Sequence, residues 1–252
     1  MGTTDLGVLF ALLVAGHTAG DFVLQTRRMA LGKGRPRWLL AHAATVTGAH
    51  LACLAPVWSG PVILVALGVG VLHGLVDAAK TRMQRVRAER SREAASEQRP
   101  ERFWLFATDQ IVHLLILAGA AWLMLRVAGR PWFPDLARMA DIRPGAWLLA
   151  AYAFNVNGSS SVVRTVLRRF TAPEGETDQP GAGRIIGVLE RLMALTLVLL
   201  DQWGALGLVL AAKSIARFKD LDQRLSAEYY LVGTLTSLLL AVGSGLLLRL
   251  VL

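Results

Sequence analysis

Residues 61–80 read PVILVALGVGVLHGLVDAAK, an apolar run that carries a histidine and an aspartate four positions apart, His73 and Asp77, and closes on Lys80. At about 1.5 Å per residue such a run nearly crosses a bilayer as one helix. Ionisable side chains inside a membrane-spanning helix are costly unless they face a partner or a wet cavity, so His73 and Asp77 stand out as functional candidates. Further apolar stretches lie near 5–26, 38–58, 103–127, 145–163, 185–200, 203–217 and 229–252. With 54% hydrophobic residues and a mean hydropathy of +0.47, the chain is too apolar for a soluble globule. The expected fold is all-α, a polytopic transmembrane helical bundle of seven or eight segments. The sixth and seventh are short, and form either a hairpin turning at Asp201-Gln202-Trp203-Gly204 or a re-entrant pair.

The first stretch lacks a basic lead-in and contains His17 and Asp21, which reads as a retained helix rather than a secretory signal. The single cysteine, Cys53, excludes an internal disulfide. Charge sets the orientation. Arg27, Arg28, Lys33, Arg35 and Arg37 fill one loop, and eight basic residues lie between 80 and 102, so both loops are expected on the cytoplasmic side of a bacterial inner membrane. The net charge of +9 does not point to nucleic acid, because Glu89, Glu93, Glu97 and Glu101 interleave the basic run at a spacing of four, the pattern of a solvated helix. Residues 171–183, TAPEGETDQPGAG, read as a linker, and the chain divides into halves at 1–127 and 128–252.

All five histidines fall in four polar motifs: His17-x-x-x-Asp21 with Gln25, His42 with His50, His73-x-x-x-Asp77 with Lys80, and Asp109-Gln110-x-x-His113. Counted from the flanking basic loops, Asp21, His42, His73, Asp77 and Asp109 lie roughly 5–10 Å into the membrane on four different helices, with His17, His50 and His113 at roughly 15–20 Å. Residues four apart share a helix face, so each His/Asp pair can grip one ion. His17, Asp21, His42, His73, Asp77, Asp109 and His113 are the candidate ligands. Mixed imidazole and carboxylate donors suit zinc, manganese or iron. Asp21, Asp77 and Asp109 are the candidate general bases, and Gln25 and Lys80 the candidate contacts to an anionic group. A purely structural interhelical hydrogen-bond network is the competing reading.

In the second half, Arg191, Lys213 and Arg217 form a cationic cluster with Glu190 and Glu228 nearby. It is either a set of buried ion pairs, such as Glu190 with Lys213, or a seat for a lipid phosphate. The polar run Asn155-Val-Asn157-Gly158-Ser159-Ser160-Ser161 marks a segment facing protein or a cavity and broken near Gly158.

The motifs His17-x-x-x-Asp21-Phe22-x-Leu24-Gln25, His73-x-x-x-Asp77-x-x-Lys80 and Asp109-Gln110-x-x-His113 resemble those of a bacterial integral-membrane family known only as a domain of unknown function, over roughly residues 8–125. The resemblance implies no activity. From the residues, the leading expectation is a metal-dependent membrane hydrolase acting on a lipid or lipid-like anionic substrate. A metal-ion or proton transporter comes second, and a non-catalytic scaffold third. Association of copies of the chain is left open.

Overall fold

The computed structural model describes residues 3–93, 101–127, 133, 136–168, 170, 182–216 and 224–252. Among them the chain is helical without strands. In order it forms α1 (Thr3–Ala19), a π-helical turn (Gly20–Leu24), α2 (Arg27–Gly32), α3 (Pro36–Cys53), a 3-10 turn (Ala55–Val57), α4 (Gly60–Glu93) and α5 (Glu101–Val127). A second 3-10 turn (Leu136–Met139) leads to α6 (Ile142–Ala153), and a second π turn (Phe154–Gly158) to α7 (Ser159–Leu167); α8 (Ala182–Leu199), α9 (Trp203–Ala216) and α10 (Arg224–Val251) follow. Four segments of the described residues are long and apolar enough to cross a membrane: Asp5–Leu24, Gly60–Val86, Trp104–Arg126 and Ala227–Val251. The remaining helices are shorter or less apolar, so the structure supports four candidate spans where the sequence suggested seven or eight.

Contacts group the chain into two compact units, Met1–Ala153 and Phe154–Leu252. This cut falls later than the halves read from the sequence, because α6 packs on α1 and so belongs with the N-terminal helices. Residues 171–181 of the expected linker lie outside the described residues.

In the first unit α1 is the central helix, contacting α3, α5 and α6. Its mid-section, Val8–Leu9 and Ala11–Ala15, is buried, as expected of a helix apolar on all sides. Helix α3 lies against both α1 and α4, and glycine permits the approach. A Cβ on Gly16 would come 2.8 Å from the His50 backbone, one on Gly20 3.0 Å from the Val46 backbone, and one on Gly74 3.2 Å from Ala43. On Gly70 it would strike the Thr47 hydroxyl. Gly16-x-x-x-Gly20 and Gly70-x-x-x-Gly74 thus clasp α3 from two sides, the small-residue packing that membrane helices favour. The segment after Leu24, read from the sequence as a basic loop, contains the short helix α2. Thr26 caps it by accepting from the Met29 amide at 3.2 Å.

In the second unit α10 packs on α7 and α8, and α8 on α9. The α8–α9 connection is a tight hairpin in which Asp201 has φ 59°. Its carboxylate accepts from Arg249 at 2.7 Å and from the Trp203 indole at 2.9 Å. The expected hairpin at Asp201–Gly204 therefore forms.

Candidate metal centre

Helices α1, α3, α4 and α5 of the first unit each divide into an apolar and a polar half, and the halves align. Along α1, Val8–Ala15 precede His17 and Asp21; along α4, Val62, Ala66 and Val69 precede His73 and Asp77. The order reverses on α3, where His42 and His50 precede Leu54, and on α5, where Asp109 and His113 precede Leu117, Ala120, Ala121 and Met124. Alternating helix direction brings every polar half to one end of the unit, over a continuous apolar core.

At that end four side-chain atoms converge. His42 Nε2 and His73 Nε2 are 3.1 Å apart, and Asp21 Oδ1 lies 3.2 Å from each. Asp77 Oδ2 lies 3.2 Å from His42 Nε2 and 3.7 Å from His73 Nε2. Four of these separations lie close to the roughly 3.3 Å edge of a tetrahedron whose donors sit about 2.0–2.1 Å from a central zinc ion, and the His73–Asp77 one is longer. Hydrogen bonding alone accounts for them poorly. Each imidazole Nε2 carries at most one proton yet faces another ring nitrogen and two carboxylate oxygens. A cation at the centre would be within reach of all four atoms at once, beside the Lys33 ammonium that already meets Asp77 Oδ2. The π turn at Gly20–Leu24 contributes directly, since the wider turn carries Asp21 toward α3 and α4 while its other oxygen stays 3.7 Å from His17 Nε2.

Around these four the remaining polar groups are ordered. Gln25, expected to meet an anion, places its side-chain amide 3.3 Å from His42 Nδ1 and 3.4 Å from its Nε2. With the amide turned so that its oxygen faces the ring, it accepts the Nδ1 proton and presents Nε2 as a ligand. Lys80 donates to Asp109 Oδ2 at 2.6 Å, and Lys33 donates to Asp77 Oδ2. Three buried or nearly buried carboxylates, Asp21, Asp77 and Asp109, thus face two ammonium groups, which leaves one negative charge if the imidazoles are neutral. His113 Nδ1 is 2.8 Å from the Asp109 carbonyl and His50 Nδ1 is 2.9 Å from the Val46 carbonyl. A carbonyl only accepts, so both rings carry the proton on Nδ1 and offer a lone pair at Nε2. Neither of these buried Nε2 atoms has a hydrogen-bond partner, nor do His17 Nδ1 and Asp109 Oδ1.

The structure therefore brings His17, Asp21, Gln25, His42, His73, Asp77, Lys80, Asp109 and His113 to one end of one unit. Lys33 and Gln110 join them unannounced by the sequence motifs' apparent ligand sets: Gln110 Oε1 lies 3.4 Å from His17 Nε2, and Lys33 sits among four other basic residues that gave it no distinction. The two glycine pairs were the readable signal that α3, and with it His42, lies between α1 and α4.

The cationic cluster of the second unit is arranged differently. Arg191 is buried and donates from Nε to the Asn155 carbonyl at 2.9 Å, from Nη1 to Ser237 Oγ at 3.2 Å, and from Nη2 to Ser160 Oγ at 2.5 Å and the Val156 carbonyl at 3.3 Å. Except for Ser237 on α10, the acceptors belong to the polar run around the π turn, and there the helix widens through Phe154–Gly158 and continues into α7 where the sequence suggested a break. Lys213 pairs with Glu190 at 2.5 Å and lies 5.5 Å from the Tyr230 ring centre, the ion-pair alternative read from the sequence. Arg217 lies outside the described residues.

A family model described as "Protein of unknown function (DUF3307)" matches residues 8–134, a range that contains every member of the candidate centre. The chain belongs to this family. No curated protein and no solved structure matches it.

Proposed function

We propose that this DUF3307 protein is a membrane-embedded, metal-dependent hydrolase whose N-terminal unit holds a divalent ion, zinc fitting best, on His42, His73, Asp21 and Asp77. The observation that carries the reading is the convergence of those four buried atoms at separations of 3.1–3.7 Å. A zinc ion there would supply Lewis acidity, and it would activate water near neutral pH on expanding to five-coordination or on exchange of one carboxylate, Asp77 already being paired with Lys33. Asp109 is the carboxylate left to take a proton, since Lys80 occupies Oδ2 while Oδ1 has no hydrogen-bond partner and stands 3.8 Å from His113 Nδ1. Lys33 and Lys80, about a fifth to a quarter exposed at the mouth, are the cations placed to meet an anionic, lipid-like substrate. Arg191 has its donors engaged within its own unit. In this reading the chain is a multi-pass protein of the bacterial cytoplasmic membrane with its basic loops, and the mouth of the centre, on the cytoplasmic side.

A transporter built on the same residues is the second reading, favoured by the row of rings from His73 through His113 and His17 to His50, with centroids 4.3, 5.0 and 6.5 Å apart in turn. Further along the same helices lie Leu9, Leu13, Leu54, Leu117 and Met124, all essentially inaccessible, and a pathway onward would need polar or wet lining. That closed end ranks hydrolysis first.

The test is metal content of the detergent-purified full chain by mass spectrometry, followed by assay against phospholipid and lipid-ester substrates. The expected result is bound zinc that His73→Ala/Asp77→Ala removes from a folded protein, and zinc-dependent product release that Asp109→Asn suppresses. A wild-type protein that takes up no zinc, manganese or iron on loading overturns the metal reading. Bound metal with flux into proteoliposomes and no hydrolysis puts the transporter in its place.

A further inference from the structure

We infer that the centre is built for two ions rather than one, with the Asp21 carboxylate bridging them and His17, Gln110 and His113 completing the second position; this rests on the metal-centre reading above. The two oxygens of Asp21 face different partners. Oδ1 lies 3.2 Å from His42 Nε2 and from His73 Nε2, while Oδ2 lies on the His17 side, 3.7 Å from its Nε2. Four donors already surround the first position, so a tetrahedral ion there leaves Asp21 Oδ2 and His17 unused. Next to them Gln110 Oε1 stands 3.4 Å from His17 Nε2, which adds an oxygen donor of the right chemistry.

His113 supplies the independent evidence. Its ring is stacked on His17 at a centroid distance of 5.0 Å, and its centroid lies 4.3 Å from that of His73. Bonding of Nδ1 to the Asp109 carbonyl fixes the tautomer, so Nε2 is a lone pair with no protein hydrogen to receive. A ring only 2% exposed whose free nitrogen has no donor is poorly explained by packing. Ligation explains it, and the backbone carbonyl is the outer partner that ligating imidazoles commonly have. His17 is equally buried. Ligand atoms of His17, Asp21 and His73 all lie within 4.8 Å of one another, as those of His42, His73 and Asp77 do. The two groups adjoin across Asp21; the single lone pair of His73 Nε2 belongs to the first position, which leaves the Asp21 carboxylate as the bridge expected between ions about 3.5–4 Å apart. Two adjacent ions can hold the attacking and leaving oxygens of one displacement, which suits a phosphoester substrate.

The experiment uses full-length protein in detergent, loaded with manganese and freed of excess, read by metal stoichiometry and by electron paramagnetic resonance. The expected result is two manganese ions per chain with the multiline signal of an exchange-coupled pair, falling to one ion and an isolated six-line signal in His17→Ala/His113→Ala. One ion per chain in the wild type, unchanged in that double variant, overturns the two-ion inference and leaves the single-ion reading standing. Two ions with uncoupled signals overturn the Asp21 bridge. No bound metal in the wild type overturns both readings. Should the double variant fail to fold, stoichiometry and coupling in the wild type decide between one ion and two.

Discussion

Buried polarity serves two ends in this chain, and the contrast between the His/Asp cluster of the first unit and the Arg191 cluster of the second separates them. Around Arg191, donors and acceptors match: three guanidinium nitrogens reach two backbone carbonyls and two serine hydroxyls. Nothing there asks for a further partner, and the arrangement ties α7, α8 and α10 together as a polar clasp. Around His42 and His73 the match fails, because lone pairs and carboxylates face one another and buried nitrogens of His17, His50 and His113 go unbonded. An unpaired buried polar atom costs about 1–3 kcal/mol, so a cluster that keeps several of them is retained for something other than stability.

Exchanging the roles of the two clusters by mutation would break this comparison. The largest effect is expected at the ligands: Asp77→Asn or His73→Ala should weaken zinc binding at least about 100-fold, measured by competition with a chelator. Metal-free His73→Ala should hold or raise its melting temperature, since it relieves a crowded buried site, whereas Asp77→Asn also leaves the Lys33 ammonium without its carboxylate and should lower it. A loss of stability in His73→Ala instead would make the cluster structural. Arg191→Met should do the opposite, costing about 2–5 kcal/mol in unfolding while zinc affinity stays put, because it strands four acceptors away from water. Gln25→Ala sharpens the contrast within the first unit: loss of the group that orients His42 should weaken zinc about 10–100-fold without abolishing it.

The smallest effect belongs to the exposed hairpin of the second unit. Arg249 and the Trp203 indole bond the Asp201 carboxylate and hold its pKa below the usual carboxylate range. A depressed folded-state pKa contributes stability above the unfolded value, and that contribution is lost as pH falls through the folded one. Asp201→Gly keeps a residue suited to φ 59° and removes the carboxylate, so it should shift the melting temperature slightly at neutral pH and not at all in strong acid. Melting curves of both proteins across pH test the sign.

Much of the centre is legible in the sequence because one geometric rule governs it. His17 with Asp21 and His73 with Asp77 are four apart, helices put such residues on one face, and depth counting brought residues from four helices to neighbouring levels. His42 could be placed by depth alone, yet its position between the two pairs depends on Gly16, Gly20, Gly70 and Gly74 lying against α3, a pattern present in the chain and easily passed over beside the more conspicuous histidines. Lys33 was not legible at all. Its reach to Asp77 depends on how the short helix α2 returns the chain, and nothing in a run of basic residues distinguishes the one that turns inward. The number of spans read from the sequence is not confirmed for a related reason: apolar content alone does not separate the four described helices long enough to cross a bilayer from those, such as α9, that are apolar and shorter.

The division of the first unit into a polar end and a dry end also has an electrical meaning. A transmembrane potential falls mainly across low-dielectric material, which here is the layer of Val8, Leu9, Leu13, Leu54, Leu117 and Met124. A full crossing is worth about 2.3 kcal/mol per elementary charge per 100 mV, but on the proposed reading an ion entering from the polar end would stop before that layer and traverse little of the field. Occupancy of the centre should therefore follow the ion concentration on one side and stay indifferent to the energisation of the membrane.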